Sequence, residues 1–339
     1  MEQTNVATRA EHEAVYRLIM AGWGSQVVRT VASFSVAEHL EAGPLSARQI
    51  AGLLSSDPDM TFRLLRAAAA MGFLTYDPAT SQFAGTAMLD VLRGDCAFSL
   101  KHYAQAGTSE VFWLPSLRLT DTVLHGRNHA EEVLGCTPFE YFADREPEAR
   151  MFSFAMTELS TPVIDEAVPA VDIGEARLVV DVGGADGAFV AGLLERHPQL
   201  HGVVLDLPQV MAGVAEEACR RGMANRMTGQ PGDFFDRLPS ADLYLLKFIL
   251  HDWDDESCRR ILSNIRRAMN PGARLIIVEM VADTVTLEAS LMDIAMMFAF
   301  TGQERDERHF ESLLSAAGLR TSRTVGLHHP YRLIEAAPV

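Results

Sequence analysis

The run Arg177-Leu-Val-Val-Asp-Val-Gly-Gly-Ala-Asp-Gly187 decides the fold of this 339-residue chain. It begins as an apolar stretch that ends in an acid and continues as a glycine-rich turn, after which residues 188–194 repeat apolar side chains at helical spacing. A buried strand, a glycine turn and a helix open the nucleotide-binding βαβ unit of doubly wound proteins. The next apolar run ends in Asp206, where a carboxylate can accept hydrogen bonds from a ribose.

The glycine loop does not fit a dinucleotide. The dinucleotide fingerprint requires glycine or alanine at three fixed offsets, and from Gly183 these fall on Gly183, Ala185 and Ala188, a poor match. Asp181 and Asp186 also flank the loop with negative charge. Because like charges repel, this loop favours a nucleoside that carries a sulfonium cation over one that carries a pyrophosphate.

A second informative run is Leu245-Leu-Lys-Phe-Ile-Leu-His-Asp-Trp-Asp-Asp255. It reads as a buried strand that places His251, a tryptophan and three aspartates at its carboxyl edge, where open α/β sheets bind ligands. Lys247 strengthens the prediction, since the chain contains only one other lysine, Lys101. We therefore expect a functional cluster at this edge.

Composition narrows the class of protein. The chain is 48% hydrophobic with a formal net charge of −16, which argues against binding a phosphate backbone. It has no apolar run long enough for a transmembrane helix, and its first residues lack the pattern of a secretory signal. The four cysteines have no metal-binding spacing. We expect a cytoplasmic protein that binds neither nucleic acid, nor membrane, nor metal.

The chain divides into two predicted domains, 1–100 and 101–339. The first is mainly helical, with two helices and a hairpin that together resemble a winged helix, a fold that often binds DNA. However, residues 1–105 hold eight basic residues against ten acidic ones, which favours packing over DNA binding. Its apolar residues exceed what so small a domain can bury, which predicts a partner chain; they are Val27, Val28, Val31, Phe34 and Val36.

The second domain begins with a helical linker, 101–170, that is rich in aromatic residues and methionine. From about residue 171 strands alternate with helices, which predicts a mostly parallel, doubly wound sheet. The last two predicted strands, 321–325 and 331–336, are separated by too few residues for a helical crossover. They must therefore pair antiparallel.

Six segments together resemble the S-adenosylmethionine-dependent O-methyltransferases of the caffeic-acid and bacterial natural-product type. They are residues 180–187, 205–208, 232–235, 246–255, 273–279 and 302–305. The resemblance covers essentially the whole chain. It implies a Rossmann-like α/β domain whose seven-stranded sheet ends in an antiparallel strand. It also implies that the winged-helix-like amino-terminal domain exchanges helices with a second copy, forming a homodimer.

The resemblance implies S-adenosylmethionine as the cofactor and assigns residues to it. Gly183 would contact its methionine portion and Asp206 its ribose. Asp233 would contact the adenine amino group, Phe234 the adenine face, and Lys247 the adenosyl or carboxyl end. The chain departs from the family pattern at three positions, which we expect to affect the fine geometry of the site and its affinity for the cofactor: Ala185, Asp186 and Asp306.

The expected chemistry is methyl transfer to a hydroxyl. A phenol titrates near pH 10, as tyrosine does, and becomes a good nucleophile only when a base removes its proton. Histidine suits this task, and His251 lies at the expected crevice. A carboxylate that orients the base would help, and Glu279 and Glu304 match the positions that flank the catalytic histidine in the family.

The acceptor is expected to be an aromatic small molecule, because flat apolar walls and adaptable methionines suit ring systems. Asp293 is expected to orient one of its polar groups. In the family, the matching positions line the acceptor pocket; they are Trp113, Phe152, Met156, Met292, Asp293, Met296 and Phe300.

Two other interpretations remain open. A relative could keep the cofactor but catalyse hydroxylation, decarboxylation or a pericyclic reaction, although the presence of His251, Glu279 and Glu304 together argues against this. The winged helix could instead belong to a DNA-binding regulator, which the charge of residues 1–105 disfavours.

Overall fold

The structure, a computed structural model, describes residues 7–339 and contains two compact units. The first unit extends to Ser109 and includes Arg150–Glu158, and the second comprises Glu110–Ala149 and Leu159–Val339. The domain limits expected from the sequence, 1–100 and 101–339, stay predictions. No helix within residues 7–339 combines the length and apolar character that crossing a membrane requires.

The first unit combines helices with a small antiparallel sheet of order β1-β3-β2. Its elements are α1 (Arg9–Ser33), α2 (Val36–His39), β1 (Leu45–Ser46), α3 (Ala47–Leu54), α4 (Pro58–Ala70), β2 (Leu74–Asp77), β3 (Gln82–Gly85), α5 (Ala87–Asp90) and α6 (Lys101–Ala106). The side chain of Ser46 accepts the Gln49 N–H and so caps α3, while Asp57 caps α4 in the same way. The expected winged-helix-like arrangement of two helices and a hairpin is present.

The surplus apolar surface of this unit is not where the sequence placed it. Val31 and Val36 are buried in the unit's own core, and Val27, Val28 and Phe34 pack against that core. The prediction was wrong for Val31 and Val36, because helix packing within the unit already covers them, whereas Val27, Val28 and Phe34 are only partly buried. Large apolar side chains are instead exposed earlier on α1, with exposed fractions of 55–74%: Val15, Tyr16, Leu18, Ile19 and Trp23.

The second unit contains a mostly parallel seven-stranded sheet with helices around it. Its helices are α7 (Glu110–Ser116), α8 (Leu119–His125), α9 (Ala130–Leu134), α10 (Pro138–Ala143), α11 (Glu146–Ala170, in part), α12 (Ala188–Arg196), α13 (Met211–Arg220), α14 (Asp255–Ala268), α15 (Leu287–Ala299) and α16 (Glu307–Ala316). Its strands are β4 (Leu178–Val182), β5 (His201–Asp206), β6 (Met227–Pro231), β7 (Ala241–Lys247), β8 (Met269–Met280), β9 (Leu319–Gly326) and β10 (Tyr331–Pro338).

The sheet has the order β6-β5-β4-β7-β8-β10-β9. The pairs among β6, β5, β4, β7 and β8 are parallel, and β10 pairs antiparallel with both β8 and β9. This confirms the predicted fold class, including the antiparallel final strand. The sequence did not predict β6, because four of its five residues are exposed at the sheet edge and give no apolar run.

Alternating side chains of the central strands feed two cores. Val179 on β4 faces one core with residues of α12, while Val180 and Val182 face the other with residues of α14. Both faces of the sheet are therefore covered, as expected for a doubly wound protein. Because parallel strands end at one edge, the residues that follow β4, β5, β7 and β8 gather along that edge.

Candidate active site

His251 lies just beyond the carboxyl end of β7, on a short 3₁₀ turn, Leu250–Asp252. Phe248, which precedes the turn, has a φ of +56°, a conformation that bulky residues rarely adopt. Strained residues of this kind persist where the surrounding structure fixes them, often beside functional groups. Here the bend at Phe248 takes the chain out of the strand just before His251.

His251, Glu279 and Glu304 converge, as expected from the sequence. The Nδ1 atom of His251 lies 2.8 Å from Glu304 Oε1 and 4.0 Å from Glu279 Oε2. Both carboxylates are buried, and the imidazole is 14% exposed. Oε1 of Glu279 also accepts the backbone N–H groups of Ile249 and Leu250, at 3.0 and 2.9 Å. Glu279 thus fixes the backbone in front of the histidine, while Glu304 binds its ring.

The carboxylates change the acid–base properties of the histidine. Burial by itself lowers the pKa of His251, but the charges of Glu279 and Asp252 and the hydrogen bond to Glu304 outweigh burial and raise the pKa to about 10. Burial raises the pKa of Glu279 to about 7, against the lowering effect of the His251 charge. The imidazolium form is therefore strongly stabilised, which makes His251 a stronger base than a free histidine.

Asp252 lies on the other side of the imidazole. Its Oδ1 is 3.5 Å from His251 Nε2, and burial raises the pKa of this carboxyl to about 6, against the lowering effect of His251. The sequence placed Asp252 in a motif but gave it no role. Because Glu304 binds Nδ1 of His251, Nε2 is the ring nitrogen that Glu304 does not occupy.

A segment from residues 302 to 305 docks on the turn that carries His251. A Cβ atom on Gly302 would lie 1.9 Å from the His251 carbonyl oxygen, so only glycine permits this approach of two backbones. The Arg305 side chain is fully buried and donates to the carbonyl oxygens of Leu250 and Trp253, each at 2.7 Å. Arg305 falls within the segment 302–305 that resembles the family, but no local pattern predicted a role for it.

One nitrogen of His251 and one oxygen each of Glu279 and Glu304 all lie within 4.8 Å of one another. Such a donor set is also able to hold a metal ion. The expectation that the protein needs no metal therefore stays a prediction that requires a direct test.

The glycine loop after β4 forms a narrow cradle. Gly183 has a φ of +68°, and a Cβ atom on it would lie 2.5 Å from Ile249 and 3.6 Å from Phe234. Ala185, which stands where the family usually has glycine, adopts a left-handed φ of +52°. Ala185 donates its N–H to Asp206 Oδ2 at 2.9 Å, so the loop is tied to the end of β5.

Asp206 and Asp233 are both hydrogen-bonded to the backbone around them. Asp206 accepts the N–H groups of Ala185 and Leu207, and burial raises its pKa against these bonds. A carboxylate has about four acceptor positions, so Asp206 keeps capacity for ribose hydroxyls. Asp233 accepts the Phe235 N–H at 2.8 Å.

Lys247 and Asp181 bring opposite charges to the base of the loop. Burial lowers the pKa of Lys247, against the raising effect of Asp181, Asp186 and Glu279. Burial raises the pKa of Asp181 to about 7, and neither of its carboxylate oxygens has a hydrogen-bond partner among the described residues. An unpartnered buried carboxylate beside the glycine cradle fits a cofactor that carries positive charge. The residues present therefore fit S-adenosylmethionine.

The residues expected to line the acceptor pocket fall into two groups. Met292, Met296 and Phe300 lie together in an apolar cluster, and Trp113 lies on α7 within the same unit. Phe152 and Met156 lie on α11 in the part that belongs to the first unit, and their expected place in the pocket wall stays a prediction. Asp293 accepts the Glu304 N–H at 2.9 Å, which ties α15 to the residue that binds the imidazole.

An aromatic chain that the sequence did not reveal runs beside the site. Trp253 stacks on Phe139, with ring centroids 5.7 Å apart and planes within 6° of parallel. Trp253 also meets the edge of Phe234, and Phe139 contacts Phe300. These rings connect the predicted adenine face to the predicted acceptor wall. Phe139 lies more than 100 residues from Trp253 and from Phe300 in sequence, so no local signal predicted these contacts.

Known families match both parts of the chain. A model of the O-methyltransferase domain matches residues 117–320, and one of the O-methyltransferase dimerisation domain matches residues 16–88. The O-demethylpuromycin-O-methyltransferase of Streptomyces alboniger is 35% identical over 99% of this chain and 93% of its own.

Solved structures agree with the sequence relatives. Mitomycin 7-O-methyltransferase superposes with a TM-score of 0.91 at 30% identity, covering 97% of this chain and 98% of that one. An O-methyltransferase from neocarzinostatin biosynthesis, solved with S-adenosylmethionine and 2-hydroxy-5-methyl naphthoic acid, gives 0.83 at 27% identity over 93% and 96%. Together with the geometry above, these matches show that the chain belongs to the O-methyltransferase family and is an S-adenosylmethionine-dependent enzyme.

Proposed function

We propose that the enzyme methylates a hydroxyl on an aromatic ring of a natural product and that His251 is the general base. The observation that carries the proposal is the 2.8 Å contact between His251 Nδ1 and Glu304 Oε1. This bond fixes the ring and leaves Nε2 to face a proton donor, as the histidine–carboxylate pair does in other general-base enzymes.

The residues divide the work as follows. When bound, S-adenosylmethionine supplies an activated methyl group, and the protein positions the reactants and removes a proton. His251 Nε2 takes the proton of the hydroxyl, and Glu304 and Glu279 stabilise the imidazolium that forms. The pKa of His251 is raised toward that of a phenol by the neighbouring carboxylates, which makes proton transfer from a phenol more favourable than it would be to a free histidine.

The cofactor would be held by residues of the sheet edge. The Gly183 backbone would contact the methionine portion of the cofactor, and Asp206 would accept hydrogen bonds from its ribose hydroxyls. Asp233 and Phe234 would contact its adenine. Lys247 and the unpartnered Asp181 carboxylate provide the charges near its polar end.

The acceptor class rests on the apolar cluster and on the relatives. Met292, Met296 and Phe300 offer flat, adaptable apolar surface, and Asp293 a polar group near it. The two solved relatives are named for a mitomycin and for neocarzinostatin biosynthesis, the second with a hydroxynaphthoic acid bound. Hydroxylated bicyclic aromatic acids are therefore the first acceptors to try. Trp113, Phe152 and Met156 are proposed as further pocket walls.

The deciding experiment incubates the protein with S-adenosylmethionine and a panel of phenols and hydroxynaphthoic acids and measures the product mass. A gain of one methyl group on oxygen supports the proposal. His251→Ala should lower turnover by about 10²–10⁴ and leave S-adenosylmethionine affinity within a few-fold. The exposed His201 at the start of β5, changed to alanine, is the matched control.

Other outcomes would favour the alternatives. A hydroxylated or decarboxylated product without added methyl would favour a relative with different chemistry. Loss of activity on dialysis against EDTA, restored by a divalent ion, would assign His251, Glu279 and Glu304 to a metal instead. Normal turnover in His251→Ala would remove the histidine from the role of base.

We further propose that the protein is a homodimer and does not bind DNA. The dimerisation-domain match includes the exposed apolar residues Tyr16, Leu18, Ile19 and Trp23 on α1. Apolar surface of this kind is normally covered by a partner. Sedimentation should give about twice the chain mass of 37.2 kDa, and a gel shift with duplex DNA should be negative.

A further inference from the structure

We infer that Arg305 is a positioning residue that holds the proposed base in its working orientation. The inference rests on the proposed role of His251. Arg305 does not touch the imidazole; it acts on the backbone on either side of it.

The Arg305 guanidinium donates hydrogen bonds to both ends of the turn that carries His251. One terminal nitrogen donates to the carbonyl oxygen of Leu250, immediately before His251, and the other donates to that of Trp253, two residues after it, both at 2.7 Å. The second nitrogen also binds Asp255 Oδ1 at 2.9 Å. These bonds span the turn on both sides of His251, so the turn cannot rotate without breaking one of them.

The Arg305 backbone pairs with the residues that directly follow β8, the strand that carries Glu279. Arg305 bridges to Val281, two residues after Glu279, and its carbonyl accepts the Ala282 N–H at 3.0 Å. Arg305 also directly follows Glu304. A single residue therefore connects the backbones that carry His251, Glu279 and Glu304.

Arginine is specifically suited to this task. Its planar guanidinium presents several N–H donors in fixed directions, whereas a lysine ammonium is a point charge on a flexible stem. The side chain is fully buried, so a replacement cannot recruit bulk water to both carbonyls. A displacement of the base by about 1 Å is enough to cost on the order of 10²-fold in rate.

The test compares Arg305→Lys with Arg308→Lys, a substitution of an exposed arginine on α16. Arg305→Lys should lower kcat by about 10–10²-fold while the Kd for S-adenosylmethionine stays within about twofold. The acid limb of its pH–rate profile should move to lower pH, because the His251–Glu304 bond loosens. Arg308→Lys should match the wild type in all three measurements.

A double-variant cycle separates positioning from general destabilisation. If Arg305 acts through the base, adding Arg305→Lys to His251→Ala should cause no further loss of kcat. Equal losses in both backgrounds, or an unchanged pH profile with reduced kcat, would overturn the inference and leave Arg305 a structural residue. Near-normal kcat in Arg305→Lys would overturn it as well.

A milder variant covers the case in which Arg305→Lys does not fold. Asp255→Asn removes the negative charge that binds the Arg305 guanidinium but keeps the shape of the side chain. It should shift kcat and the pH profile in the same direction as Arg305→Lys, by a smaller amount. A folded Asp255→Asn enzyme with wild-type kcat and pH profile would refute the inference. Failure of the base assignment is seen separately, as normal turnover in His251→Ala alone.

Discussion

Replacing Glu304 by glutamine tests how the site tunes its base. Glutamine can still accept a hydrogen bond from His251 Nδ1, but it removes the negative charge that lies 2.8 Å away. Hydrogen bonds to charged groups contribute about 1.5–3 kcal/mol and neutral ones about 0.5–1.5. The difference of about 1–1.5 kcal/mol corresponds to roughly one pKa unit. The pKa of His251 should therefore fall by about one unit.

The direction of the pH effect follows from the protonation states. The base must be neutral to accept a proton, so kcat/KM rises with pH as the pKa of the free enzyme's base is passed. Since the carboxylates raise the pKa of His251 to about 10, the wild-type limb should lie well above 6.5. In Glu304→Gln the limb should move about one pH unit toward neutrality, and its plateau should be lower because the imidazolium is less stabilised.

The assay measures kcat/KM against pH for the wild type, Glu304→Gln and the control Glu311→Gln, which changes an exposed glutamate on α16. Ionisation of the acceptor affects all three enzymes equally. A difference between the acid limbs of their pH profiles therefore reports a change in the pKa of an enzyme group. Coincident limbs for Glu304→Gln and the wild type, or a wild-type limb near 6.5, would refute the reasoning.

Three further predictions concern the cofactor, the docked segment and the first unit. Asp206→Ala should weaken S-adenosylmethionine binding by about 1.5–3 kcal/mol; unchanged affinity by calorimetry would dismiss Asp206 as the ribose acceptor. Gly302→Ala places a Cβ atom 1.9 Å from the His251 carbonyl oxygen, so it should lower the free energy of unfolding by about 1–3 kcal/mol. It should also lower turnover by more than the loss of folded protein explains. Normal stability in urea would contradict the close approach. Deleting residues 1–100 should give an aggregating, inactive protein, because residues 101–109 and Arg150–Glu158 would be left without the rest of the first unit; a well-behaved active monomer would show that this region is dispensable.

The sequence alone determined the fold class and the edge of the sheet at which the site forms. Apolar runs that end in Asp206 and Lys247, and the glycine turn at Gly183, are local signals, because a strand or turn depends mainly on its near neighbours. The carboxyl ends of parallel strands share one edge, so these signals also predicted that the residues would gather. The edge strand β6 was missed because it is polar and exposed.

Only the tertiary structure decided how the cluster is held. Glu304 binds His251, and Arg305 binds the turn that carries it, each across more than 50 residues of sequence. No local pattern specifies which oxygen of a distant segment meets which nitrogen. The same holds for the apolar surface of α1, since packing within the unit buried Val31 and Val36 and left Leu18 and Trp23 exposed. Periodicity marks a side chain as apolar, but what covers it depends on the neighbours that long-range packing supplies.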